Sequence, residues 1–351
     1  MAIEEYVFRP SPEGEEESGF ERSLRPARFE DFLGQRRVVE NLKIAIAAAQ
    51  ARGEILDHVL FSGPPGLGKT TLSYLTASAL GTDLHAASGP SLQRGKDIAG
   101  LLTELERGDI LFIDEIHRMS IETEEYLYAA MEDYRLDLVV DRGAEARSYR
   151  FVLQPFTLIG ATTREGLLSA PLRSRFGIHE KLELYPPEDL VEIVRRSARI
   201  LGCAIEEAAA EVLARRSRGT PRYANRFLRR VRDLAQYRTG WTPEAGRRLR
   251  ITEEHVREGL ERLGVDDHGL DRIDRKILEV LLAQDEPVGV KTLAISVGEE
   301  ERTIEDVYEP YLIQQGMMVK TPRGRRPGAL AFELFRRGEP GSRPVQGRLP
   351  L

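Results

Sequence analysis

From about Leu56 the chain alternates short apolar runs with stretches of helical spacing: HVLF, a helix over Lys69–Leu80, LHAAS, a helix near residues 98–105, then ILFI. Apolar runs of this length read as strands buried on both faces, and their alternation with helices predicts βαβαβ units and a parallel sheet. After a helix around residues 121–131 comes LDLVVDRGAEARSYRFVL, whose β-rich arms flank Asp141, Arg142 and Gly143. This predicts a protruding hairpin over 135–154. FTLIGATT, a helix ending near Phe176 and IHEKLELY complete the sheet, and Pro186 and Pro187 then break the pattern. Residues 188–263 are helical throughout, with Phe227, Leu228, Val231, Leu234 and Ala235 on one face, which predicts a small all-α domain. A third unit starts near Leu270. The expected fold class is α/β: a large parallel-sheet domain over 21–185, a helical domain over 186–263 and a third domain over 264–335.

Composition adds limits to this picture. Of 351 residues, 41% are hydrophobic and 31% charged, as in soluble globular chains, and no apolar run approaches the ~20 residues that cross a bilayer. The amino terminus lacks the basic and apolar regions of a secretory signal, and the single cysteine, Cys203, excludes an internal disulfide. A cytoplasmic protein without a membrane partner is expected. The net charge of -6 is unevenly spread. Residues 1–20 carry six acids against Arg9 and read as an acidic flexible tail. Residues 319–351 carry eight bases against Glu333 and Glu339, including a basic tail over 336–351, so this end suits a polyanion.

The chemistry centres on Gly63-Pro64-Pro65-Gly66-Leu67-Gly68-Lys69-Thr70, which fits GxxxxGK[ST] between an apolar strand and a helix. In such a loop the amides around Gly66 and Gly68 turn toward phosphates, Lys69 reaches the β and γ phosphates, Thr70 ligates Mg²⁺, and Thr71 follows in the helix start. Downstream, the strand from Asp109 to Ile113 empties Asp114 and Glu115 at its carboxyl edge. Asp114 is expected to orient the Mg²⁺ shell, and Glu115 to act as general base on the attacking water. Thr162 and Thr163 end the next buried strand, where a hydroxyl can sense the γ-phosphate. In Gly219-Thr220-Pro221-Arg222, Thr220 reads as an N-cap and Pro221 as the first helical residue. Arg222 then sits in a first turn, where a cation is opposed by the helix dipole unless an anion is near.

These residues resemble the AAA+ ATPases, and more narrowly the RuvB family of bacterial Holliday-junction branch-migration motors. The resemblance spans about residues 24–332 and rests on SLRPARFEDFLGQ, DHVLFSGPPGLGKTTL, DILFIDEIHRMS, MEDYRLDL, FTLIGATTREGLLSAPLRSRFG, GTPRYANRFLRRVRD, GEEERTIEDVYEPYLIQQG and KTPRGR. It implies a homohexameric ring that encircles duplex DNA at four-way junctions and hydrolyses ATP to move it, together with RuvA and, in the same resolving assembly, RuvC. It further implies that Leu24 and Arg25 contact the adenine side and that Thr163 is the first sensor. Glu132, Asp133 and Tyr134 would border the ATP site, and Tyr185 and Arg222 would reach the nucleotide from the lid. In LRSRFG, Arg175, or else Arg173, would be the arginine finger into a neighbouring site. The hairpin would dock RuvA through Leu138, Val139, Val140 and Tyr149, or these would be ordinary strand residues.

The third domain resembles a winged helix, with helices near 271–283 and 291–297, a third through Ile313, and strands around Pro322-Arg323-Gly324-Arg325-Arg326-Pro327. Its third helix opens with Glu299, Glu300 and Glu301, which repel phosphate, so base readout in a major groove is not expected. Arg302, Lys320, Arg323 and Arg325 suit sequence-independent DNA contact instead. A replication-initiator or clamp-loader ATP switch shares this domain plan and is the alternative reading.

Overall fold

In the computed structural model, residues 19–20, 22–140 and 147–336 are described. Most of both charged tails and the hairpin turn Asp141-Arg142-Gly143 lie outside that range. The chain divides into two compact units between Glu253 and Glu254.

The first unit is organised by five parallel strands in the order β2-β3-β6-β1-β7. They are β1 (Val59–Ser62), β2 (Leu84–Ser88), β3 (Ile110–Asp114), β6 (Thr157–Thr162) and β7 (Ile178–Lys181). The three central strands have nearly every residue buried, which follows from their unbroken apolar runs, whereas β2 and β7 form the half-exposed edges. Because β6 is inserted between β1 and β3, three segments far apart in sequence end side by side at one carboxyl edge. Neighbouring strands lie about 4.8 Å apart, so the ends of β1 and β3 stand roughly 10 Å from each other with β6 between them.

The helix Ile121–Asp133 is capped by Ser120, which accepts from the Thr123 amide, and ends at Tyr134 in the left-handed region, φ 51°. It runs into the antiparallel pair β4 (Arg135–Val140) and β5 (Arg147–Val152), where Leu138 faces Tyr149 and Val139 faces Ser148. The side chains of Leu138, Val139, Val140 and Tyr149 lie outside the described range. At the base of the pair, Leu136 and Leu153 are buried in the core.

Three helices, Pro187–Ile200, Glu207–Arg215 and Pro221–Thr239, follow. The last buries Ala224, Phe227, Leu228, Val231 and Ala235 along one stripe, while Leu234 is half-buried at its border. A short parallel pair, β8 (Cys203–Ile205) with β9 (Leu249–Ile251), adds a feature that helical periodicity does not announce.

In the second unit, the helix Arg272–Leu282 starts with a reciprocal cap: Asp271 accepts from the Asp274 amide while Asp274 accepts from the Asp271 amide. It packs on Leu293, Ile304, Leu312, Met317 and Met318. The third helical segment differs from the regular helix expected. It runs Glu301–Thr303, widens to a π turn over Ile304–Tyr308 and resumes over Glu309–Gln314. Pro310 explains this: it has no N–H for the carbonyl one turn back, and a wider turn accommodates the missing bond. Strands β10 (Met318–Thr321) and β11 (Gly324–Pro327) pair antiparallel, and Val288 and Arg325 exchange both backbone hydrogen bonds at 2.8 Å. Among the described residues no helix is long and apolar enough to cross a membrane.

Candidate nucleotide-binding site

The loop between β1 and the helix Lys69–Leu80 depends on glycine conformations. Gly66 has φ 80° and Gly68 φ 102°, and a Cβ on Gly66 would stand 2.9 Å from the Arg222 Cβ. The loop backbone therefore passes close under the helix that begins at Pro221. Lys69 is 6% exposed, and its Nζ donates to the carbonyls of Gly63 at 2.7 Å and Pro64 at 2.9 Å. Burial pushes its pKa down to about 8, against the pull of Asp114 and Glu115, with Arg222 adding to the depression. A buried ammonium in this setting is relieved by an incoming polyanion.

One cavity is lined by Gly66, Gly68, Lys69, Thr70, Thr71, Asp114, Glu115, Leu24, Arg25, Tyr185 and Arg222, so the loop, the acidic pair and the lid residues meet. Thr220 caps the lid helix by accepting from the Tyr223 amide, and Pro221 is its first residue, which delivers Arg222 to the cavity. The Tyr185 hydroxyl donates to the Leu67 carbonyl at 3.1 Å, and burial pushes its pKa up, so it stays a neutral donor. Arg25 lies 5.3 Å from the ring centroid of Tyr74. Sequence reasoning missed Arg196 and Asn225, which also line this cavity; Arg196 donates to the Leu24 carbonyl at 2.7 Å. Their contribution depends on how the lid helices face the loop, which no local motif encodes.

At the end of β3 the Asp114 Oδ1 accepts from the Glu115 amide at 2.9 Å. Glu115 is left-handed, φ 49°, an uncommon state for a residue with a side chain and one that collects at functional sites. The Thr163 hydroxyl donates to Glu115 Oε2 at 3.1 Å, so the end of β6 is joined to the acidic pair.

Other expected residues are elsewhere. Glu132, Asp133 and Tyr134 do not line the cavity; Tyr134 lies with Leu56, Asp57 and His58 at the amino-terminal end of β1, opposite the loop. Within this chain the three residues lie away from that cavity, because the helix Ile121–Asp133 ends at Tyr134 beside the residues that lead into β1. Arg175 is also away from its own chain's cavity: it pairs with Glu132 at 3.0 Å, donates to the Pro171 carbonyl at 2.6 Å and lies over the Tyr128 ring at 4.6 Å. Arg173 is exposed at the end of the short helix Ala170–Arg173.

In the second unit Arg302 and Arg323 are exposed. Lys320 is half-exposed and pairs with Glu309 at 3.2 Å. Arg325 departs from the expected phosphate contact. It is 7% exposed, donates from Nε to Glu309 at 2.5 Å and from Nη2 to Glu305 at 2.8 Å. Burial opposes its charge, but the two carboxylates more than offset this and hold its pKa above the usual value. The side chain is committed to the fold, whereas neighbouring Arg326, 51% exposed, faces outward.

Three family models match in succession: the Holliday junction DNA helicase RuvB P-loop domain over residues 24–182, the RuvB AAA lid domain over 185–266, and the RuvB C-terminal winged helix domain over 267–336. The Holliday junction branch migration complex subunit RuvB of Prosthecochloris aestuarii is 54% identical over 321 residues, covering 91% of each chain. That of Myxococcus xanthus is 53% identical over 327 residues, covering 93% of each. The solved Thermotoga maritima RuvB Holliday junction branch migration motor superposes with a TM-score of 0.80 at 47% identity, over 90% of this chain and 98% of that one. With its P-loop parallel-sheet domain, helical lid and winged helix, the chain belongs to the RuvB family of AAA+ ATPases.

Proposed function

We propose that this chain is an ATP-driven motor that moves duplex DNA through four-way junctions as a cytoplasmic homohexamer, acting with RuvA and in an assembly that RuvC joins. The observation that carries the reading is the convergence of Lys69, Asp114, Glu115 and Arg222 on one cavity, with Thr163 bonded to Glu115. In this reading the amides of Gly66 and Gly68 and the Lys69 ammonium hold the triphosphate, Thr71 supports the α-phosphate side, and Leu24, Arg25 and Tyr185 enclose the base and sugar.

Thr70 and Asp114 supply a hydroxyl and a carboxylate oxygen, a donor set that fits Mg²⁺, which would neutralise phosphate charge when bound. Among the described residues no group of three or more His, Cys, Asp or Glu could hold a metal ion. Glu115 takes the proton of the attacking water, Thr163 senses the γ-phosphate, and Arg222 couples the lid to it. Arg175 serves the neighbouring subunit, which ties turnover to ring assembly; its distance from its own cavity supports a trans role, as does the placement of Glu132, Asp133 and Tyr134. The pair β4–β5 offers a docking edge for RuvA, and Arg302, Lys320, Arg323 and Arg326 meet the DNA backbone.

The test is ATP-dependent dissociation of a synthetic four-way junction with and without RuvA, alongside ATPase rates with circular duplex DNA. Junction dissociation that requires RuvA, with duplex-stimulated turnover, is expected. ATP-dependent loading onto DNA with no junction movement would move the chain to the loader or initiator class.

A further inference from the structure

Glu115 is held from a second side by a residue that has no part in the phosphate chemistry above. His117 follows it in the one-turn helix Ile116–Arg118, and its side chain is 6% exposed between the ends of β3 and β6. Its Nδ1 lies 2.9 Å from Thr162 Oγ1 and 3.3 Å from Glu115 Oε2. Thr162 Oγ1 accepts the Arg164 amide at 3.0 Å, and Thr163 donates to the same Glu115 Oε2 at 3.1 Å.

The proton inventory favours one tautomer. An ionised carboxylate only accepts, so a bare Nδ1 would set its lone pair against that of Oε2. A hydrogen on Nδ1 turns the contact into an attraction and can be shared with Thr162 Oγ1, which as a hydroxyl oxygen has a second lone pair to accept with. Oε2 then has the Thr163 hydroxyl donating at 3.1 Å from the end of β6 and the His117 N–H facing it at 3.3 Å from the helix after β3. The pair fixes the torsion of the carboxylate, on which its reach to a bound water depends.

We propose that His117 is a positioning residue for hydrolysis: its Nδ1–H, together with the Thr163 hydroxyl, pins Oε2 of Glu115 so that the carboxylate faces the attacking water. The proposal rests on the reading of Glu115 as general base. It assigns His117 no proton transfer, only the orientation of the group that performs one. Misplacing a catalytic group by about 1 Å lowers rates on the order of 100-fold, which is the scale at stake.

Amide side chains separate this role from space filling. Asparagine puts an N–H near the Nδ1 position, whereas glutamine reaches the Nε2 position. His117→Ala, His117→Asn, His117→Gln and Glu115→Gln are compared in the full-length protein by single-turnover ATP hydrolysis and by equilibrium binding of a fluorescent ATP analogue. The expected result is a fall in kcat of about 10- to 100-fold for His117→Ala with nucleotide affinity within about twofold. His117→Asn recovers about 10-fold over alanine, and His117→Gln does not. Equal rates for the asparagine and glutamine variants overturn the proposal, as does an unchanged or raised rate in His117→Ala. If Glu115→Gln itself keeps turning over, the base assignment fails on its own account, whatever the histidine variants do.

Discussion

Arg325→Ala removes the cation that lies between Glu305 and Glu309 in the second unit. Glu309 is 2% exposed and accepts from Arg325 Nε at 2.5 Å, while Glu305 accepts from Nη2 at 2.8 Å. Removing one partner of a buried ion pair costs about 3–5 kcal/mol, because the other charge stays buried without compensation. Here Lys320 remains 3.2 Å from Glu309, so the lower end, about 3 kcal/mol, applies. That energy raises the frequency of local opening on the order of 100-fold. Native-state hydrogen exchange of the amides of residues 318–321 and 324–326, measured in the full-length protein, reads this directly. Replacing both partners, as in Arg325→Leu with Glu309→Leu, should restore most of the protection, since apolar side chains of similar size substitute well for a buried pair. Unchanged exchange in Arg325→Ala, combined with weakened DNA binding, would refute this reasoning and return Arg325 to the DNA surface.

The exposed wing behaves differently: Arg323→Ala should weaken duplex binding equally across sequences and lower the slope of log K against log salt by about 1, and an unaltered slope would remove it from the interface. Arg175→Ala should retain nucleotide binding and ring assembly but lose turnover, while Arg173→Ala keeps turnover; the reverse pattern in steady-state ATPase assays would exchange their roles. His58 gives a pH signature. Burial holds its pKa below the ordinary 6.5, against the pull of the Met131 carbonyl and Asp57. Below pH 6.5 the unfolded chain takes up a proton that the folded chain refuses, so stability should fall as the pH drops through that region. His58→Asn keeps an acceptor for the Leu158 amide, which bonds Nδ1 at 2.9 Å, and should flatten this acid limb. Urea midpoints at pH 7.5 and 5.5 that shift equally in both proteins would count against it.

What was legible along the chain was whatever local chemistry dictates. The loop at Gly63, the helix Lys69–Leu80, the strand leading to Asp114 and the Thr220–Pro221 start of the lid helix each follow from side-chain type and spacing over a few residues. The order of the strands did not, because the insertion of β6 between β1 and β3 is a tertiary choice. For that reason Thr163 could be placed at a strand end but not against Glu115, and His117 gave no signal at all. The π turn at Ile304–Tyr308 was announced by Pro310, yet helical periodicity masked it.

The arginines show where reading a charge from sequence stops. Arg222, Arg175 and Arg325 carry the same formal charge, and the sequence alone points each of them at a phosphate. Burial and counter-charges separate them. Arg222 adds to the lowering of the buried Lys69 pKa, so an anion arriving in the cavity would be favoured by both cations. Arg175 has a carboxylate, a carbonyl and a ring as partners, with its side chain 20% exposed, and can exchange one carboxylate for a phosphate at little electrostatic loss. Arg325 is buried between two carboxylates, and leaving them would take the nearest cation from Glu309, which is buried too. Only the first two can therefore change partner during a catalytic cycle, while the third fixes the wing whose outward arginines, Arg323 and Arg326, remain available to a polyanion.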